Sequence, residues 1–406
     1  VRAWLRDTAG GLSATYWYLW TGLLINRVGG FAVLFLSLYL TSQRGADAAQ
    51  TGLIVGTYGL GGLAGTLAGG VLTDHWGRRR TLLASHFATV AVLTALAFTS
   101  ELVMIAVLCA LLGVAQSMPA PAFVAAIIDV TPAARRSRAF NLQFWALNLG
   151  LAGASLLAGL LASWSYRGMF LIDAACTLAT GMLIAWKVPE TLPVDRPSTT
   201  GGGLRSVLTD RFFLVFVGLT LLQALIYTQA STIVPLAMHA DGLSPSAYGS
   251  VVALGGALIV LGQLFVPRLI DGRLKHRVLA LALLVDGVGF AMLFVADHLA
   301  VYLAAAVIWT IGTMLAAPPN AEINSELAPL ALRGRYQAVF FLTFPAASFL
   351  APSLGGVGLQ WLGDAHWLAV GLLGVLAAVL HLAAGPRRER RVAAIRTETA
   401  ATADVP

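Results

Sequence analysis

Arg27 stands inside an apolar stretch of the chain, with Asn26 before it and Gly29 and Gly30 after it. An arginine at the centre of a bilayer costs at least about 2.5–3.5 kcal/mol on insertion scales, so it requires water, a counter-charge or a ligand. Its planar fork of donors suits an oxyanion. Three acids have comparable surroundings: Asp173, Asp286 and Glu322, the last beside Asn320 and after Pro318 and Pro319. Carboxyl groups so placed can take up and release protons, as in the relays of pumps and transporters. Gln116, Tyr227, Gln229, Trp309 and Asn320 are uncharged groups that could orient a solute, aromatic rings forming its apolar wall. Each of these residues also has a plain alternative in helix–helix pairing or packing. For Glu322 that alternative is an interfacial ion pair with Arg333 or Arg335.

The elements that must hold these groups are membrane helices. Of the 406 residues 58% are hydrophobic and 11% charged, with a mean hydropathy of +0.80, whereas soluble domains carry about 25% charged residues. A spanning helix needs about 20 apolar residues. Such stretches occupy 14–41, 49–73, 81–100, 102–128, 138–164, 168–187, 212–238, 246–270, 278–296, 299–325, 336–361 and 364–384. The first stretch is too long for a signal-peptide core and has no small-residue cleavage site after it, so it is expected to stay as a helix. Its opening Tyr16, Trp17, Tyr18 and Trp20 read as an interfacial aromatic belt. The dyad alternation of transmembrane strands is absent.

Net charge is +7. In a soluble protein this excess would suggest nucleic acid, but here topology accounts for it and no nucleic-acid partner is expected. With the N-terminus in the cytoplasm, 23 of the 26 basic residues fall in inside joints or the tail. Arg44 and Arg167 fall outside, and Arg27 lies within a helix. The positive-inside rule therefore predicts that both termini are cytoplasmic.

The segment 188–211, with its prolines and the run Gly201, Gly202 and Gly203, reads as a flexible linker. It divides the chain into six-helix bundles at 1–187 and 212–384, followed by an Arg-rich tail, 385–406, expected to be disordered. The bundles are copies. At one offset of 197 residues Asp74 maps to Asp271, Pro121 to Pro318, Asp129 to Glu326, Pro132 to Pro329, Arg136 to Arg333, Arg138 to Arg335 and Gly159 to Gly356. Internal duplication of this kind marks transporters, whose solute site lies between the repeats near the bilayer midplane. The predicted fold is thus an all-α membrane protein of twelve transmembrane helices in two pseudo-symmetric halves.

After the second stretch come Gly70, Leu72, Asp74, Gly77, Arg78, Arg79 and Leu82. Gly70 would allow close helix contact, Gly77 a tight turn, and Asp74 could accept from amides at a neighbouring helix N-terminus. Arg78 and Arg79 offer donors to a carboxylate or helix end. This loop resembles the signature G-x-L-x-D-x-x-G-R-[RK]-x-x-L of the major facilitator superfamily at every specified position. Asp129, Pro132, Arg136 and Arg138 resemble the superfamily's loop after the fourth helix, and Glu326, Pro329, Arg333 and Arg335 are their twins. The second copy of the signature keeps Leu269 and Asp271 but has Leu274 in place of Gly77.

The resemblance spans the first to the twelfth stretch and is greatest to twelve-helix drug–proton antiporters. It implies solute transport by alternating access, with a charge cluster of Gly70, Asp74, Gly77, Arg78, Arg79, Asp129, Arg136, Glu326 and Arg333 acting in conformational gating. In this fold the first and tenth helices line the cavity, which would put Arg27 at the solute and make Glu322 the first proton carrier. Asp173 and Asp286 would sit on peripheral helices. The antiporters' fourth-helix arginine is missing from Leu108–Gly113, and their fifth-helix proline from Ala154–Gly159. A copy of that proline kink occurs instead at Ala351–Gly356.

The function expected is proton-coupled efflux of a small organic molecule across the plasma (inner) membrane by a monomer in the lipid bilayer. Uptake by symport, or facilitated passage, of an anionic solute is the alternative. A membrane-embedded enzyme or sensor is the reading from another class; it would need clustered His, Asp or Glu, or a soluble output domain. No cofactor is expected. The glycines at 201–203 lack the Lys-Ser/Thr of a phosphate cradle, so a proton gradient is the expected energy source. Cys109 and Cys176 have no metal-ligand spacing and read as packing residues.

Overall fold

The computed structural model describes residues 11–132, 135–192, 204–262, 265–329 and 332–403. The segment 193–203, most of the expected linker and its three glycines, lies outside the described residues.

Capping side chains set where several helices begin. Ser13 Oγ accepts from Tyr16 N at 3.2 Å, and Asp47 and Gln50 form a reciprocal capping box. Ser165 accepts from Gly168 N at 3.1 Å, and Asp210 accepts from Phe212 N and Phe213 N, both at 3.1 Å. Each satisfies amides that the first helical turn leaves without partners.

Ten helices among the described residues are long and apolar enough to cross a membrane. The first and fifth spans complete the twelve. The first is broken into Ala14–Val28 and Leu36–Arg44; the fifth is the 29-residue helix Arg136–Trp164. The others are the second (Ala48–His75), third (Arg78–Phe98), fourth (Leu102–Val130), sixth (Tyr166–Lys187), seventh (Arg211–Ala240), eighth (Pro245–Gly262), ninth (Lys275–Val295), tenth (Leu299–Leu327), eleventh (Arg335–Leu362) and twelfth, within Ala365–Ala403. No strand occurs among the described residues. The chain is an all-α, multi-pass membrane protein.

The break in the first span is sequence-encoded and held by a neighbour. Gly29 is needed because a Cβ there would strike the Cys176 side chain. Beyond it the free amide of Ala32 donates to Asp173 Oδ2 at 3.1 Å. Tyr16, expected in an interfacial belt, is instead buried, its hydroxyl donating to Ala139 O at 2.8 Å. Trp20 Nε1 likewise donates to Leu142 O at 2.8 Å. The start of the first span is therefore bolted to the fifth.

Two glycine rows on the second span set its packing. A Cβ at Gly52, Gly56 or Gly59 would run into Pro352 O, Ser353 Oγ or the Ser348–Phe349 peptide of the eleventh span. On another face Gly61, Gly65 and Gly69 press on the backbone at Ala110, Val114 and Met118 of the fourth. Small residues let membrane helices approach to van der Waals contact. Close contact to the fourth span thus runs through Gly69; Gly70, expected to serve this purpose, has no atom within 4 Å of its would-be Cβ. Gly77 does make the expected turn, with φ 109°.

The first glycine row lies at the end of the bundle away from the Gly70–Leu82 loop, and there the halves are closed on each other. Gly356 abuts Ala48 O and Gly52, Ala49 N donates to Gln360 Oε1 at 2.8 Å, and Phe35 meets the edge of Tyr248 with ring centroids 5.3 Å apart.

The last helix corrects another expectation. In place of a disordered tail, it continues to Ala403. Glu389 Oε1 lies 2.7 Å from His276 Nδ1, and Val392 joins a core with Phe213, Phe216 and Tyr336.

Candidate functional site

Between the closed end and the loop end lies a cavity of about 830 Å³. Its lining extends from Leu34 down to Thr66, Ser85 and Phe344 toward the loop end. With the far seam shut, this is the conformation open toward the loop.

Four of the expected solute-binding residues meet in this cavity: Asn26, Arg27, Gln116 and Tyr227. Arg27 is the last turn of the helix Ala14–Val28, where Gly150 of the fifth span lets its Cβ approach. Its side chain is exposed to the cavity and makes no hydrogen bond or ion pair among the described residues. Asn26 Nδ2 donates to Thr177 Oγ1 at 3.1 Å. Gln116 Oε1 accepts from Tyr58 OH at 3.0 Å.

The other three lie elsewhere. Gln229 is buried toward the eleventh and twelfth spans, 3.4 Å from both Ala351 O and His366 Nε2. Asn320 is buried with its Nδ2 donating to Gln223 Oε1 at 2.6 Å. Trp309 stacks on Phe290 with centroids 5.0 Å apart, and lines a side pocket of about 110 Å³. Leu34, Leu151, Tyr227 and Ser231 line both spaces.

The three acids also separate. Asp173 lines the cavity beside its bond to Ala32 N. Asp286 is buried between the ninth and tenth spans, accepting from Thr313 Oγ1 at 3.3 Å. Glu322, expected at the cavity, lies outside it, in a recess with Pro318 and Pro319 at the loop end of the second half. Its side chain is 58% exposed and pairs with Lys275 Nζ at 2.9 Å. The tenth helix turns this residue away from the axis. His86, Asn148 and Tyr58 are lining residues that sequence reasoning passed over; the available signal was a polar side chain within an apolar stretch. His86 keeps Nδ1 on Leu82 O at 2.7 Å.

The signature loop is a separate constellation. Arg78 Nε contacts Asp129 Oδ2 at 3.0 Å, and Nη1 donates to Thr73 O at 3.0 Å. Asp74, near the end of the second span, is 70% exposed and 3.9 Å from Arg78, across the Gly77 turn at the start of the third. Arg79 Nη2 donates to Ala185 O, at the end of the sixth helix, at 2.6 Å. The amides at the start of the third span are taken by Glu190, which accepts from Arg78 N at 2.8 Å and Arg79 N at 3.2 Å; that role was expected of Asp74. In the second half Lys275 Nζ contacts Glu326 Oε1 at 2.7 Å. Arg136 is exposed at the start of the fifth span. The side chain of Arg333 lies outside the described residues.

A model of the Major Facilitator Superfamily matches residues 19–352 and, separately, 221–405. The chain belongs to the Major Facilitator Superfamily. Among curated superfamily members it is 29% identical over 343 residues to the uncharacterized MFS-type transporter YttB of Bacillus subtilis (strain 168), covering 83% of this chain and 86% of that one. It is 26% identical over 356 residues to a Na(+), Li(+), K(+)/H(+) antiporter of Planococcus maritimus, covering 78% and 83%. It is 23% identical over 374 residues to the multidrug resistance protein MdtH of Klebsiella pneumoniae (strain 342), covering 89% and 91%. In fold it is similar to a crystal structure of the peptide transporter POT in complex with sulfate, with a TM-score of 0.79 at 17% identity over 96% of this chain and 99% of that one. The Arg27 cavity is lined from both halves of the chain, and in transporters built from repeats the solute site lies between them.

Proposed function

We propose that the protein is a proton-coupled secondary transporter of a small organic anion, working by alternating access about the Arg27 cavity. One observation carries the reading: an arginine with no partner among the described residues faces a large cavity whose other wall residue of opposite charge is Asp173. An ionised Asp173 supplies counter-charge to that wall and disfavours a second anion. A protonated Asp173 leaves the field of Arg27 to the solute. Anion and proton then favour each other's binding, a reciprocal coupling that yields symport. Asn26, Gln116 and Tyr227 orient the solute. Glu322 is outside this cycle because Lys275 holds it away from the cavity. The excess of basic residues in these joints supports a cytoplasmic loop end with both termini on that side, and the plasma membrane is the proposed location. The transporter acts as a monomer.

A second reading, efflux in exchange for protons, draws support from the antiporter and multidrug names of two relatives. The sign of a pH change separates the two. In proteoliposomes enclosing a pH-sensitive dye, organic anions added outside acidify the lumen if symport holds and alkalinise it if antiport holds. Protein-free vesicles correct for passive entry of the neutral acid. No protein-dependent change with any member of a broad anion panel would remove proton-coupled anion transport.

A further inference from the structure

The cavity is chemically divided along the boundary between the halves. Arg27, Asn26, His86, Gln116 and Asn148 all belong to the first half. Asn26 and Gln116 are already engaged with Thr177 and Tyr58, and Asn148 Nδ2 donates to Phe144 O at 2.8 Å. Their polar atoms are therefore held in place around a guanidinium that is itself without a partner among the described residues. The second half contributes Tyr227, Ser231, Thr232 and Phe344. Its hydroxyls at Ser231 and Thr232 donate back to Thr228 O, at 3.2 Å and 2.8 Å, so two of the three hydroxyls on this face are spent within their own helix.

Behind Tyr227 the wall opens into the side pocket of about 110 Å³, lined by Val251, Val252, Ile259 and the ring of Trp309. Gly255 and Gly256 leave it room. A dry cavity of about 150 Å³ takes a benzene ring. The side pocket is smaller than that and suits an alkyl chain of a few carbons.

We infer that the transported anion is an amphipathic carboxylate, its head held by Arg27 on the first half and its alkyl tail seated beside Trp309 and Ile259 in the second. A guanidinium fork binds a carboxylate through paired, charge-assisted hydrogen bonds. Burial of each methylene contributes about 0.8 kcal/mol, close to a fourfold gain in affinity per carbon. Such a solute bridges the two bodies that must move against each other. The inference rests on the proposal that this cavity carries an organic anion, and it adds the second, apolar contact.

The test is calorimetric titration of the purified protein in lipid nanodiscs, corrected with empty discs. The probes are straight-chain carboxylates from propanoate to decanoate, with the matched amides and amines. Expected is a gain of about fourfold per methylene up to a plateau, with carboxylates bound at least tenfold more tightly than amides or amines of the same length. Arg27→Gln should lower carboxylate affinity to that of the amides and leave amide binding unchanged. Ile259→Trp, which fills the side pocket, should abolish the chain-length dependence while short carboxylates bind as before, which also shows that the variant is folded. Amides or amines binding as well as carboxylates would overturn the inference. So would a chain-length series that persists in Ile259→Trp. Coupled flux of short hydrophilic anions without any chain-length preference would sink this inference and leave the transport proposal standing. The binding pattern without any proton-coupled flux would do the reverse.

Discussion

Lys275 stands to Glu326 as Arg78 stands to Asp129. The two pairs are related by the 197-residue repeat, with contacts of 2.7 Å and 3.0 Å. Each ties the residue that begins the third span of its half to an acid at the end of the fourth. A second acid adds a further tie in each half, Glu190 after the sixth span to the amides of Arg78 and Arg79, and Glu389 within the last helix to His276. The halves are thus braced separately at the loop end, and these braces can persist while the halves rock.

Loss of the second-half pair should soften that half. Lys275→Ala is expected to cost roughly 1 kcal/mol, since both partners keep some solvent contact and exposed pairs contribute little. Swapping the charges with Lys275→Glu and Glu326→Lys should recover part of it. Thermal unfolding of the two single variants and the double variant checks the coupling, and additive losses would show that the pair is not a stabilising contact.

Glu190 caps the third span although it lies in the segment after the sixth. Glu190→Ala should lower stability by about 0.5–2 kcal/mol, the usual cost of a lost N-cap. Glu190→Gln, which keeps an acceptor but loses the charge, should fall between. Equal losses for the two variants would mean that charge at the helix end is the whole effect.

Adjacent glycines should respond oppositely. Gly69→Ala drives a methyl into Met118 of the fourth span and is expected to cost about 1–3 kcal/mol. Gly70→Ala meets nothing within 4 Å and should leave the melting temperature unchanged or slightly raised. A larger loss at Gly70 would show that its neighbour is met only in another conformation.

The far seam should act as a gate. Gly56→Leu cannot pack against Ser353 and Phe349. Transport should drop at least tenfold, and a cysteine placed at Tyr227 should become accessible to an impermeant maleimide from the far side. Unchanged labelling from that side would argue that the seam does not control access.

Asp173 and Glu322 should differ in coupling. Asp173→Asn removes the titrating group from the cavity wall, so anion-driven proton flux should be lost while anion binding persists. Glu322→Gln should retain coupled flux within about twofold, a change of some 0.4 kcal/mol. Loss of coupling in Glu322→Gln alone would restore the tenth helix as the proton path.

The sequence is informative wherever the physics is local. Twenty apolar residues without a charge cross a bilayer whatever surrounds them, so the spans could be located along the chain. Gly77 makes its turn because φ 109° suits a residue without a side chain, and Asp47, Ser165 and Asp210 cap the helices that they immediately precede. Duplication is likewise legible, because Asp, Pro and Arg recur at one offset in joints where Ala and Leu carry no such signal.

What only the tertiary structure decided is the direction in which each side chain points. One residue along a helix is about 100° around it, which separates Gly69 from Gly70. It also separates the cavity wall from the recess that holds Glu322. Rotation of a helix about its own axis is set by its neighbours: by glycines pressed on Ala110, Val114 and Met118, and by prolines and hydroxyls of the eleventh span. Glu190 could reach Arg78, Lys275 could claim Glu322, and Asp173 could hold the broken first helix only once distant segments were side by side. Arg27 was placed in the cavity by both arguments, because a guanidinium within a bilayer has few places to go besides a wet cavity.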